Sequence, residues 1–202
     1  MYIAVAGNIG SGKTSLTNML AQHFGWEPEF ESADDNPYLK DFYDDMSRWA
    51  FHLQIYFLNS RFNQVKNVHL RERPVIQDRS IFEGTHIFAE NLKNSNLMTD
   101  RDYQNYKALS DLMTRHVKAP NLLVYLKADT DKLVSQIQKR GRDFEQDIPT
   151  EYLTNLNELY EQWISQYDMG ELLVIDMTEM DFVNRPEDFK LIADQVSAKL
   201  GL

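Results

Sequence analysis

The sequence predicts an α/β fold in one domain, a central parallel sheet of five strands flanked by helices, and three observations carry that prediction. A short apolar run, Tyr2-Ile3-Ala4-Val5-Ala6, passes directly into a glycine loop and then into Leu16, Met19, Leu20 and His23 at helical spacing. Further apolar runs of strand length recur at 74–78, 121–126 and 171–176, and stretches of helical length lie between them. Runs that stay apolar, instead of alternating with polar residues, belong to a parallel sheet covered on both faces. Ligands of such a sheet gather at the carboxyl ends of its strands.

The first strand, 2–6, leads into Gly7-Asn8-Ile9-Gly10-Ser11-Gly12-Lys13-Thr14, which fills every fixed position of the pattern G-x-x-x-x-G-K-[ST]. Its glycines let backbone N–H groups curl around phosphate oxygens, and the N-terminus of the helix that follows adds donors and a positive dipole end. Lys13 supplies a point charge to the β- and γ-phosphates, and the Thr14 hydroxyl is placed to ligate Mg²⁺. These residues, with Ser15, predict a site for a nucleoside triphosphate such as ATP.

The segment 28–32 is short and extended, and Asp34-Asp35-Asn36-Pro37 punctuates it. Residues 47–70 predict one long helix whose apolar side chains, among them Trp49, Phe51, Ile55, Phe57 and Phe62, cover nearly the whole circumference. That coverage predicts burial against several partners, and Gln54 and Arg61, two turns apart, share one face. The strand 74–78 ends in Asp78, with Arg79-Ser80 next and a helix expected through 88. Thr99-Asp100-Arg101-Asp102 resembles a capping box opening a helix that runs to about 117. The strand 121–126 and a helix over 131–139 lead into Lys139-Arg140-Gly141-Arg142, the densest basic run in a chain of net charge −10. A helix over 149–167, the last strand at 171–176 and a helix over 186–200 close the order.

The totals exclude several classes. A net charge of −10 argues against a general nucleic-acid surface, which needs basic residues to neutralise phosphates. The absence of cysteine removes disulfides, thiolate metal sites and cysteine nucleophiles together. The five histidines show no ligand spacing, so no transition-metal site is expected. No apolar run approaches the roughly 20 residues of a membrane helix, and the first residues already read as a core strand. A soluble cytoplasmic protein is the expectation.

The acceptor of the phosphate must be read away from the glycine loop. Glu31 ends an expected strand, where a carboxylate can take the proton of an attacking hydroxyl. Asp78 ends a buried strand at the ligand edge of the sheet, with Arg79 beside it. Joined to these are Asn36-Pro37-Tyr38-Leu39, Tyr43, Arg48-Trp49-Ala50-Phe51-His52-Leu53-Gln54, Arg61, Asp78-Arg79-Ser80, Arg140-Gly141-Arg142 with Glu145-Gln146, and Tyr152-Leu153. In this order and spacing the chain resembles the deoxynucleoside kinases, most of all their bacterial deoxyadenosine/deoxyguanosine branch, a P-loop kinase fold with an arginine lid, here about 139–149.

The resemblance implies transfer of the γ-phosphate of ATP to the 5′-hydroxyl of a deoxynucleoside, with deoxyadenosine favoured and deoxyguanosine or deoxycytidine possible. It makes Glu31 the general base, and Arg79 the holder of the nucleobase and of the transferring phosphoryl group. It sets Tyr43 and Glu145 on the 3′-hydroxyl, Gln54 on the nucleobase and Arg61 near it. Asp78 would help hold Mg²⁺ beside Thr14, and Arg140 and Arg142 would close over the phosphates. The family also implies a homodimer and feedback by a deoxynucleoside triphosphate. Many members carry an aspartate five residues after the arginine of the Asp-Arg-Ser motif, as a partner for the arginine matching Arg61. Here that position is Gly84, which predicts a freer Arg61 and a roomier base pocket. A nucleoside monophosphate kinase is the alternative, but the segment 29–45 holds many acids and only Lys40 as a base, so an acceptor without phosphate fits better.

Overall fold

The strands β1 (Tyr2–Gly7), β2 (Glu27–Glu29), β3 (Val75–Asp78), β4 (Leu122–Lys127) and β5 (Glu171–Asp176) form one sheet in the order β2-β3-β1-β4-β5. Every pairing is parallel. The computed structural model describes residues 1–31, 36–142, 145 and 148–202. Part of the expected lid, including Gln146, and the acidic turn at 34–35 lie outside the described residues.

Alternate residues of the central strands feed two cores. Tyr2, Ala4 and Ala6 of β1 and Leu123 and Tyr125 of β4 point to one, while Ile3 and Val5 with Leu122, Val124 and Leu126 point to the other. The first core is closed by α2 (Leu39–Asp44), α3 (Met46–Val65), a π-helical segment (Gly84–Ala89) running into α4 (Glu90–Asn94), and α5 (Asp100–Thr114). Much of α7 (Thr150–Ser165) joins that face through Tyr152, Leu156, Tyr160 and Trp163. The second is closed by α1 (Lys13–Phe24), α6 (Thr130–Arg140) and α8 (Pro186–Leu200). Burial on both faces explains why β1 and β4 read as unbroken apolar runs, whereas the edge strand β5 alternates buried and exposed residues.

Three expectations are corrected. The helix expected over 47–70 ends at Val65, and a separate 3₁₀ turn covers Val68–Leu70. It buries one stripe, Ala50, Leu53, Gln54, Leu58, Arg61 and Val65, whereas Trp49, Phe51, Ile55, Phe57 and Phe62 stay half-buried. These half-buried residues pack against the first core while keeping part of their surface exposed, so all-round apolarity did not mean all-round burial. The helix expected through 88 is instead the π-helical segment passing into α4. The capping box is present in part: the Thr99 hydroxyl accepts from Asp102 N–H at 3.1 Å.

Candidate active site

The register places the site. Val5 pairs with Asp78 across β1 and β3, and Arg79 N–H donates to the Val5 carbonyl at 3.0 Å, so the end of β3 lies against the start of the glycine loop. Gly10 in that loop has φ 84, and a side chain there would meet the Leu133 carbonyl at 2.9 Å. Only glycine fits both demands. Asn8 holds the loop to α7, its Nδ2 donating to the Leu153 carbonyl at 2.8 Å and to Asn157 Oδ1 at 2.7 Å.

Lys13 is buried, and its Nζ donates to the Asn8 carbonyl at 2.7 Å. Burial and then the nearby Arg79 guanidinium pull its pKa down to about 7, although Asp78, Glu83 and Glu31 oppose the change. Thr14 Oγ1 donates to Asp78 Oδ2 at 2.5 Å, while the buried Asp78 Oδ1 has no hydrogen-bond partner. A free carboxylate oxygen beside a hydroxyl suits a hard cation that takes its other ligands from phosphate and water. The pair therefore fits Mg²⁺, and among the described residues no cluster of three or more acids or histidines competes for a metal.

Glu31 stands two residues beyond β2, between two buried arginines. Its Oε1 accepts from Arg61 Nε at 2.9 Å, with a second contact from Arg61 Nη2, and its Oε2 accepts from Arg79 Nε at 3.0 Å. Burial alone would raise its pKa, but Arg61 and then Arg79 outweigh that and hold it at about 2. The expected freedom of Arg61 is thus overturned, because it is 4 % exposed and committed to Glu31. The space expected at Gly84 is also filled. A Cβ there would lie 2.5 Å from the Tyr106 hydroxyl and 3.5 Å from Arg61 Nη1.

A cavity of about 280 Å³ joins these groups. Lys13, Thr14, Glu31, Asp78, Arg79, Arg140, Arg142 and Glu145 line it, as do Tyr43, Gln54 and Arg61, so every substrate residue expected from the sequence is brought to one space. Phe57 and Phe88 form part of its apolar wall, while Phe51 and Phe82 do not reach it. Gln54 is buried and its Oε1 has no hydrogen-bond partner, an orphan acceptor of the kind a ligand satisfies. Burial, with Tyr152 and Glu145 nearby, raises the Tyr43 pKa, so its hydroxyl remains a donor. Arg140 and Arg142 both contact Glu145, the second from Nη1 to Oε1 at 3.4 Å. A second space of about 400 Å³, lined by Gly10, Gly12, Lys13, Thr14 and Ser15 and again by Arg140 and Arg142, adjoins the first across the loop.

Sequence reasoning missed Glu83 and Tyr160. Glu83 is fully buried, and its Oε2 accepts from Ser80 N–H at 2.6 Å. The Tyr160 hydroxyl accepts from Arg79 Nη1 at 2.9 Å and lies 2.7 Å from Glu83 Oε1 and 2.8 Å from the Gly7 carbonyl, donating to one of these at a time. The one local signal was an acid inside the apolar stretch Ile81-Phe82-Glu83.

A loop for a triphosphate, a Thr–Asp pair beside it and a separate acceptor cavity across Lys13 place the chain among the P-loop kinases. Comparison with known proteins narrows that class. The family model described as deoxynucleoside kinase matches residues 3–200, and the chain belongs to that family. It is 37% identical over 198 residues to a deoxyadenosine/deoxycytidine kinase of Bacillus subtilis, covering 97% of this chain and 91% of that one. It is also 37% identical over 203 residues to a deoxyguanosine kinase of the same organism, covering 96% and 95% of the two chains. A deoxyadenosine kinase from M. mycoides, solved with bound dATP, superposes with a TM-score of 0.86 at 30% identity, covering 98% of this chain and 100% of that one.

Proposed function

We propose that the chain transfers the γ-phosphate of ATP to the 5′-hydroxyl of a deoxynucleoside, a step of nucleotide salvage. The observation that carries this is the acceptor cavity, where an orphan acceptor on Gln54 lies in the same space as the Glu31 carboxylate beside the glycine loop. A carboxamide offers an adjacent donor and acceptor and matches the N6/N7 edge of adenine or the N3/N4 edge of cytosine. Deoxyadenosine is therefore the favoured acceptor, with deoxycytidine next.

Glu31 accepts the 5′-hydroxyl proton. A carboxylate near pKa 2 is a weak base, but a loose phosphoryl-transfer transition state needs the proton removed only late, and orientation comes first. A carboxylate offers about four acceptor sites, so a hydroxyl can join Arg61 and Arg79 on it. Tyr43 and Glu145 hold the 3′-hydroxyl. Lys13 and Arg79, with Arg140 and Arg142 as the lid, balance phosphate charge. Thr14 and Asp78 would hold Mg²⁺, which would supply charge neutralisation to the phosphates. The protein acts as a cytoplasmic homodimer in this reading, and the triphosphate of its own substrate restrains it. A M. mycoides relative solved with bound dCTP and another form with dATP support such ligands.

The test is ³¹P NMR of the product formed from deoxyadenosine and Mg·ATP. The expected product is the 5′-monophosphate, with 2′,5′-dideoxyadenosine inert. Phosphate on the 3′-oxygen, or no turnover, contradicts the assignment.

A further inference from the structure

Arg79 is the one residue of the site whose backbone is unfavourable for its type. Its φ is 68, a region that non-glycine residues occupy only when their surroundings impose it. Two hydrogen bonds bracket it: Arg79 N–H donates to the Val5 carbonyl at 3.0 Å, and the next N–H, of Ser80, donates to Glu83 Oε2 at 2.6 Å. The guanidinium is also held at both ends. Nε reaches Glu31 at 3.0 Å, while Nη1 donates to the Tyr160 hydroxyl at 2.9 Å and lies 3.5 Å from Glu83 Oε1. The Phe88 ring covers it at 4.5 Å.

Glu83 plays no part in the transfer as described above, yet it is a fully buried carboxylate, which a fold keeps only when it is paired and hydrogen-bonded. Its partners all belong to the machinery or hold it. They are Ser80 N–H, Arg79, the Tyr160 hydroxyl, and the N–H of Gly7 at 3.5 Å, the first residue of the phosphate loop. Tyr160 repeats the pattern from α7, touching Arg79, Glu83 and the Gly7 carbonyl with one oxygen. Burial, with Glu83 nearby, raises its pKa, so the hydroxyl keeps its proton.

We propose that Glu83, with Tyr160, is a positioning residue for phosphoryl transfer: it imposes the left-handed backbone of Arg79 and ties that arginine to the start of the phosphate loop. The guanidinium is then fixed between Glu31 and the loop instead of swinging onto Glu31 alone. The inference rests on the kinase reading given above. Glu83 touches neither substrate, so its loss acts through Arg79 and falls on kcat.

The test is a double-mutant cycle in the full-length protein, followed with radiolabelled ATP and accompanied by thermal melts. Glu83→Gln is expected to lower kcat about 10–100-fold with the KM for ATP changed less than about threefold, the signature of lost transition-state geometry. Tyr160→Phe is expected to lower kcat about tenfold. In an Arg79→Ala background, Glu83→Gln is expected to change kcat less than about twofold, because its intermediary is gone. If Arg79→Ala leaves no measurable transfer, Arg79→Lys replaces it, and if Glu83→Gln does not fold, Tyr160→Phe completes the same cycle. Costs that multiply fully across the cycle, or a Glu83→Gln enzyme with unchanged kcat, overturn the proposal. A wild-type protein that phosphorylates no deoxynucleoside would instead refute the kinase reading, which separates the two failures.

Discussion

Glu31 carries an arginine on each oxygen, and that sets its chemistry and its pH dependence. Its folded pKa of about 2 lies below the ordinary 4.5, so its contribution to stability is complete above pH 4.5 and is lost as pH falls toward 2. Glu31→Gln should lower kcat by about 10²–10⁴ with a smaller effect on KM, and steady-state kinetics check this. Lys13 behaves oppositely. A pKa of about 7 leaves it largely neutral in the empty site above that pH, and bound phosphate restores its proton. Mg·ATP binding at about pH 8 should take up close to one proton, and affinity should weaken by up to about tenfold per pH unit above 7. Calorimetry in two buffers of different ionisation enthalpy measures the uptake, and its absence contradicts the buried, depressed lysine. The places of Lys13 and Glu31 at the cavity were legible in the sequence, the first from a local motif and the second from its setting among family residues. Glu83 and Tyr160 were not, because their partnership joins residues 77 apart in the chain, which no local pattern encodes.

The helices show the same division between local and distant causes. The capping threonine of α5 and the glycine loop before α1 were readable because cap and turn chemistry acts within a few residues. The end of α3 at Val65 carried only the weak signal of Lys66-Asn67, since neither glycine nor proline follows it closely. The π-helical segment was hidden for a further reason. Its first residue, Gly84, lies where α5 brings the Tyr106 hydroxyl to 2.5 Å of any Cβ, so the constraint comes from another helix. Absence of an aspartate at that position therefore made room for Tyr106 and left Arg61 to Glu31, instead of enlarging the base pocket. Gly84→Ala should destabilise the protein by about 1–3 kcal/mol through overpacking, and adding Tyr106→Phe should recover much of it. Thermal or urea unfolding decides this, and a Gly84→Ala protein as stable as the parent removes the packing argument.

Across the whole molecule, the parallel sheet brings the ends of β1, β2 and β3 together, so one loop divides two spaces. Lys13, Thr14, Arg140 and Arg142 line both. A deoxynucleoside triphosphate can set its base and sugar in the acceptor cavity and pass its phosphates back into the loop, collecting both sets of contacts while losing translational freedom once. The triphosphate of the preferred substrate should therefore inhibit well below other nucleotides and compete with the nucleoside. An inhibition series at fixed ATP in which all triphosphates act equally, or the best one competes with ATP alone, contradicts the adjoining sites. This layout was legible as a sheet with ligands at its carboxyl edge, whereas the commitment of each arginine to an acid emerged only in three dimensions.

In the proposed function the acceptor is a nucleoside without phosphate, recognised through Gln54. The direct measurement is phosphate transfer from Mg·ATP to the four deoxynucleosides and, in parallel, to their four monophosphates. Transfer to the nucleosides is expected, deoxyadenosine fastest and deoxycytidine next, with the monophosphates essentially inert. Faster transfer to monophosphates, or thymidine outperforming deoxyadenosine, would contradict it.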